Sequence, residues 1–506
     1  MEFHLALFIF MASLGLSLSK HVQHGSILVN GAQAIAETDD NFICATMDWW
    51  PHDKCDYNYC SWGYASVTNL DLSHPFLNKA IQALKPLRIR IGGSLQDRVM
   101  YEVGSLKFPC HPFQKTEGEL FGFSKGCLHM KRWDELNHFF NKTGAILTFG
   151  LNALSGRHKI SETIWGGNWD PSNAKDFINY TISKRYKIDS WEFGNELSGN
   201  GVGASVDAAQ YGKDLKNLKQ ILNTLYQNSK SKPSLIAPGG FYQKEWFDKL
   251  LQASGSGTID VLTHHIYNLG PGSDDEGLEK KILDPEYLSQ VETIFSNLAE
   301  SIQKNGPWSS AWVGEAGGAY NSGGRYVSNT FVDSFCALLW HQLMGKSVLA
   351  ASNDAFSPFL RTYAHCSKGR DGITLLLINF SNQNRFILTV DDDESVSSGI
   401  NEDAKSTRVE KSFIYHLKRT FSWVGRKGSD ITFREEYHLT PNDYNLRSQT
   451  MMLNGIPLEL STDGDIPTMT PVQSNVHSHI NIAPLSVAFI VYPDFDAPTC
   501  NGHKKP

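Results

Sequence analysis

The chain has 506 residues, 41% of them hydrophobic and 20% charged, which fits one large globular domain with a smaller one, or two or three of ordinary size, and excludes a disordered chain. Its net charge of -7 provides no general basic face, which argues against nucleic acid as a partner while leaving room for a local basic pocket and an acidic ligand.

Residues 5–18, LALFIFMASLGLSL, form an apolar run followed by Ser19 and Lys20, the pattern of a signal peptide over residues 1–20, and hence of secretion. A membrane anchor is the rival reading, but the run is short for a spanning helix. In a secreted chain the eight cysteines (Cys44, Cys55, Cys60, Cys110, Cys127, Cys336, Cys366, Cys500) read as disulfide partners, since their spacing matches no zinc ribbon or C-x-x-C site. No metal site is expected from them. Asn141, Asn179 and Asn379 head glycosylation sequons.

Residues 21–36 read as strand and turn with no helix to pair with, a piece that docks elsewhere. A β-then-α alternation follows. Strands are expected at Asn41–Trp49, Leu87–Gly93, Ala145–Leu151, Ser190–Asn195, Ser234–Gly239, Asp260–Tyr267 and Ala311–Gly317. Helices are expected at His74–Leu84, Lys131–Asn141, Asn173–Tyr186, Ala208–Asn228, Lys244–Ala253, Glu286–Lys304 and Asn329–Met344. Seven such units predict a parallel (β/α)8-type TIM barrel over residues 37–346 that lacks its eighth strand, because nothing between Gly317 and Gly345 offers one. Ser347–Ala351 is the one nearby apolar run, and it could equally begin the next domain. From residue 347 to 506 the pattern becomes short alternating strands (FLRTYAHC, GITLLLINF, RFILTV, SFIYHL, SHINIAPLSVAFIVYP), an antiparallel β-sandwich that the N-terminal piece could join.

The chemistry concentrates in SWEFGNELSG, residues 190–199. Its strand ends at Asn195-Glu196, and strand ends at the open face are where such a barrel carries its site. Glu315 ends the seventh strand, across the mouth from the fourth. Two carboxyl groups so placed suit glycoside hydrolysis, one protonating the leaving oxygen and the other attacking or activating water; about 5–5.5 Å between them marks the retaining version. Asn195, able to hydrogen-bond a sugar hydroxyl, favours Glu196 as proton donor and Glu315 as nucleophile. Glu192 lies deeper on the same face, opposite the inward Arg90, and reads as a buried structural pair. Asp48 reads either as a contact to a substrate hydroxyl or as a loop cap. His265 and Tyr267 either touch sugar or orient Glu315, and neighbouring His264 must face the other way, which disfavours a two-histidine metal site. Residues 199–205, GNGVGAS, lack GxGxxG spacing and a Walker lysine, so no cofactor is expected. Absence of G-x-S-x-G argues against a serine hydrolase.

With WEFGNELSG, LRIRIGGS, ILTFGLNAL, THHIYNLG, WVGEAGGAYNSGG, ALLWHQLMG and LRTYAHC, nearly the whole mature chain resembles the heparanase family, glycoside hydrolase family seventy-nine, and its plant heparanase-like members in particular. The resemblance implies a retaining β-glucuronidase on a barrel with a β-sandwich. Glu196 then matches the proton donor, Glu315 the nucleophile, and Asp48, Ser94, Asn195, His265 and Tyr267 substrate-binding positions. It implies a glucuronic-acid-containing glycan as substrate, arabinogalactan-type or heparan-like, and a Cys366–Cys500 bridge closing the β-domain. A monomer, secreted or in a vacuolar or lysosomal-type compartment, with peripheral membrane association allowed, completes the expectation. FVDSFC (331–336) running directly into ALLWHQLMG (337–345) departs from the family pattern: it reads as an internal deletion that removes the eighth strand and a uronate-contacting loop. An inactive or glycan-binding variant is therefore the alternative.

Overall fold

The computed structural model describes residues 21–104, 106, 109–273, 275–334, 336–392 and 432–501. The leader expected at 1–20 and the strand expected in SFIYHL lie outside them.

Residues His21–Glu37 form a long strand, β1. After it, β2 (Cys44–Met47), β3 (Arg88–Ile91), β4 (Ile146–Leu151), β5 (Ser190–Phe193), β6 (Ser234–Phe241), β7 (Val261–Ile266) and β8 (Ser310–Ala316) pair in chain order, all parallel. Helices α1 (Pro75–Ala83), α2 (Met130–Thr143), α3 (Ser172–Ser183), α4 (Ala208–Leu225), α5 (Lys244–Ser254) and α6 (Val291–Asn305) form most of the crossovers. In α4 the cause is legible residue by residue: Asp207 caps the first turn by accepting from Ala209 N and Gln210 N, and Tyr211, Leu215, Leu218 and Leu222 make one buried stripe. Outward-facing strand side chains join these stripes in an aromatic core, where Phe149 packs against Trp133, Phe177 and Trp191.

The barrel interior is polar and layered. Arg88, on β3, pairs with Asp189 and lies 4.4 Å over the Trp312 ring of β8. One layer up, Arg90 meets Glu192. Both layers follow from period-two alternation on Arg88-Ile89-Arg90 and Ser190-Trp191-Glu192.

Among the described residues no eighth strand joins β8 to β2, so the sheet keeps two edges along one seam. Its upper end is clasped by the loops that follow those edges: Ser322 Oγ donates to Asp56 Oδ2 at 2.6 Å, Trp62 Nε1 donates to Ser322 Oγ at 3.2 Å, and Asn321 Nδ2 donates to the Tyr57 hydroxyl at 3.2 Å. At the lower end the short helix α7 (Ala337–Leu343) stacks Trp340 on Phe42, 5.4 Å between rings. The long helix expected over Asn329–Met344 does not form. Phe331 N and Val332 N donate instead to Ser448 O and Leu446 O of the second domain, leaving a single turn at Phe331–Asp333 before α7.

Ser347–Ala351 does not enter the seam. It lies in the strand Met344–Asn353, antiparallel to β1 and to Leu360–Ser367. These strands belong to one eleven-stranded sheet. The sheet is mixed rather than purely antiparallel, because β1 runs parallel to Asn384–Asp392. Ile27, Leu375, Phe386, Ile480 and Ile490, from strands far apart in the sheet order, share one buried cluster, so the sheet curls over a common core as a sandwich does. Cys366 and Cys500 form a disulfide beside it. Two further bridges join Cys55 to Cys60 and Cys110 to Cys127, while Cys44 and Cys336 are free, so six of the eight cysteines pair. Asn141 and Asn179 are exposed on helices. Asn379 is only 2% exposed and its Nδ2 donates to Asn384 O and Ala483 O, so burial and prior hydrogen bonding oppose the glycosylation expected there.

Candidate active site

The strand β5 stops at Phe193 because the next backbone steps leave the extended region: Gly194 has φ 72° and Glu196 φ 55°. Gly194 has to be glycine. An added Cβ would sit 2.5 Å from the Tyr211 hydroxyl. Glu196, a non-glycine residue in the left-handed region, carries strain of about 1–3 kcal/mol that the surroundings must hold. Three hydrogen bonds do so: Gly194 N to Leu151 O (3.1 Å), Asn195 N to Asp97 Oδ2 (2.8 Å) and Glu196 N to Gly239 O (2.6 Å). The break in alternation turns both Asn195 and Glu196 toward the barrel axis, where an unbroken strand would have sent them to opposite faces.

Arg90 is the hub. Its Nε donates to Glu192 Oε2 at 2.6 Å, Nη1 to Glu315 Oε1 at 2.6 Å and Nη2 to Asn195 Oδ1 at 2.7 Å. The Glu192–Arg90 pair expected from the alternation is present, and the same guanidinium also grips Glu315. Tyr267 donates its hydroxyl to Glu315 Oε2 at 3.0 Å. His265 Nδ1 lies 2.9 Å from Glu196 Oε1 and 3.8 Å from Glu315 Oε2. One oxygen of each glutamate and the His265 nitrogen all fall within 4.8 Å of one another.

The electrostatics separate the groups. Burial alone would raise the Glu315 pKa, but His265 and Arg90, together with the Tyr267 and Arg90 hydrogen bonds, bring it down to about 2. Burial pulls His265 down, and the facing Glu315 and Glu196 carboxylates more than reverse it, so its pKa is raised. Half-buried Asp48 goes the other way: burial and then the Glu315 charge push it up to about 8, against the Trp49 N–H that donates to it at 2.5 Å. Gly93, with φ 115°, lets that carboxyl in, since a Cβ there would lie 2.3 Å from it. His264 faces away onto Phe295, and burial lowers it to about 4.

The structure therefore brings Asp48, Asn195, Glu196, His265, Tyr267 and Glu315 together. Ser94 sits in the turn after β3, beside Gly93, and is partly exposed. Sequence reasoning missed two contributors. Arg90 was assigned only to Glu192, and Asp97, which accepts from both Ala153 N and Asn195 N and is pushed up to about 7 chiefly by burial, was not singled out. Its signal was its place in the loop after LRIRIGG, at the same open face.

A family model described as Glycosyl hydrolase family 79, N-terminal domain, matches residues 24–343. Heparanase-like protein 1 of Arabidopsis thaliana is 56% identical over 530 residues, covering 96% of each chain. That span exceeds the 506 residues of this chain, so the relative carries residues absent here. Baicalin-beta-D-glucuronidase of Scutellaria baicalensis is 33% identical, covering 91% of this chain and 90% of its own. Among solved structures, the alpha-L-arabinofuranosidase of Thermotoga maritima in its arabinose complex aligns with TM-score 0.57 at 12% identity, over 92% of this chain and 99% of that one, a likeness of fold.

Proposed function

The chain belongs to glycosyl hydrolase family 79 and is a glycoside hydrolase, and from that premise we propose that it cleaves β-glucuronide linkages in glycans with retention of configuration, using Glu315 as nucleophile and Glu196 as acid/base. The observation that carries the reading is the close approach of the two carboxyl groups, within 4.8 Å between oxygens, which fits the retaining spacing of about 5–5.5 Å rather than the roughly 6.5–9.5 Å of the inverting arrangement. Glu315, ionised down to about pH 2, attacks the anomeric carbon while Glu196 protonates the glycosidic oxygen. The bond to the leaving sugar breaks as the bond to Glu315 forms. Glu196, now ionised, takes a proton from water, and that water displaces Glu315. Arg90 and Tyr267 hold the attacking carboxylate by one oxygen each. Asp48, neutral below about pH 8, has an O–H to donate to a sugar hydroxyl. Asn195 and Ser94 complete the proposed sugar contacts. The leader at 1–20 and the exposed sequons Asn141 and Asn179 support secretion.

The test is turnover of an aryl β-glucuronide by the secreted chain. Glu315→Gln and Glu196→Gln should each lower kcat by about 10²–10⁴-fold. Azide should restore turnover to the Glu196 variant alone, releasing the β-glucuronyl azide. An α-azide product, or rescue of the Glu315 variant instead, overturns the assignment.

A further inference from the structure

Above the seam, the clasped loops present an arginine with unused donors. Arg325 is exposed, and its guanidinium carbon lies 4.6 Å from the Tyr59 ring centre and 5.0 Å from that of Tyr326. No described carboxylate pairs with it. Lys54, on the same loop as Tyr59, pairs with Asp56 at 2.6 Å. Tyr59 and Tyr326 are 44% and 55% exposed, so their rings are open to a ligand as well as to Arg325.

The platform is held in advance of any ligand. The Cys55–Cys60 bridge and the paired Asp56 and Tyr59 backbones fix the loop that carries Tyr59. Ser322 and Asn321 tie the loop that carries Arg325 to Asp56 and Tyr57 of the first. Both loops leave C-terminal strand ends, after Met47 and Ala316 respectively, so the platform stands on the rim of the face that holds the two glutamates.

A planar guanidinium offers a fork of N–H donors that matches a carboxylate, and tyrosine faces stack on sugar rings. We propose that Arg325, Tyr59 and Tyr326 form a second carbohydrate-binding subsite, taking a carboxylated sugar unit of the glycan that lies outside the cleaved linkage. The proposal rests on the glucuronidase reading for the glycan's passage over this face, and deepens it by naming acidic chains as the preferred substrate.

Binding rather than turnover tests it, so the outcome is independent of whether the enzyme is a glucuronidase, which the aryl glucuronide assay decides separately. The probes are a polyglucuronate oligosaccharide and its carboxyl-reduced counterpart, titrated into the intact protein carrying Glu315→Gln to prevent cleavage. Adding Arg325→Gln should weaken the acidic oligosaccharide about tenfold and move the reduced one by less than about twofold. Arg325→Lys should recover only part of the loss, because it keeps the charge without the fork. Equal weakening of both probes would make Arg325 a loop clasp only and overturn the proposal. No change in either would overturn it too.

Discussion

Arg90→Met is the substitution that separates what holds this barrel together from what the site needs. The Arg90 side chain is 5% exposed and Glu192 is 0% exposed, so removing the guanidinium strands a carboxylate in the interior. Breaking a buried pair from one side costs about 3–5 kcal/mol. Removing the pair together, as Arg90→Met with Glu192→Leu, should recover only the part of that loss due to Glu192, since a buried pair roughly breaks even against apolar substitutes while Glu315 stays without its guanidinium partner. Activity should not return with it. Glu315 Oε1 and Asn195 Oδ1 have both lost the donor that fixed them at 2.6 and 2.7 Å, and loosened positioning of a reacting group costs about 10²-fold. The assays are urea unfolding at pH 7 and aryl β-glucuronide turnover on the same three proteins. A single variant that loses less than about 1 kcal/mol, or a double variant that regains turnover, refutes the reasoning.

The remaining expectations concern pH, a glycine and a disulfide. Glu315 has a folded pKa depressed to about 2 from 4.5, so its contribution to stability is complete above about 4.5 and is lost as pH falls toward 2; Glu315→Gln should flatten that part of a Tm-versus-pH curve. Asp48 has the opposite sign: its pKa is raised from 3.8 to about 8, so the fold loses stability as pH climbs between those values, and Asp48→Asn should remove the decline. With wild-type protein, kcat/KM should also fall as pH passes about 8, and a profile level to pH 9 would contradict Asp48 donating to substrate. Gly93→Ala should lower activity more than about tenfold through displacement of Asp48, seen as loss of its titration near pH 8 by difference NMR. Replacing Cys366 and Cys500 together by alanine should cost about 2–5 kcal/mol in denaturant unfolding, because the bridge spans 134 residues.

The barrel was readable because each of its strands is a short apolar run followed by a helix-period stripe, two signals that do not depend on the rest of the chain. The seven-strand count followed from the same rule. What failed were places where a distant partner decided the local structure. Asn329–Met344 has helical spacing, yet Phe331 and Val332 are taken up by Ser448 and Leu446, more than a hundred residues away. The strand Phe433–Pro441 is absent from the expected strands, for its Arg434, Glu435 and Glu436 give no apolar alternation; Arg434 is 1% exposed and bonded to Glu436, Asn475 and Ser478, a burial only the folded partners permit. In the site, the glutamates, His265 and Tyr267 were found from strand-end position. Arg90's second and third partners were not, because alternation gives a side chain's face but not how far a long one reaches.

The open seam also distributes mechanical support unequally between the two glutamates. Glu196 follows a strand with hydrogen-bonded neighbours on both sides, whereas Glu315 stands on the outermost strand, tied to the sheet through β7 alone. Edges fray at lower cost than centres. Warming should thus detune the distance between the two carboxyl groups from the Glu315 side first, so that catalysis fades several degrees before the barrel melts, with Arg90 and Tyr267 serving as the guy-ropes that postpone it.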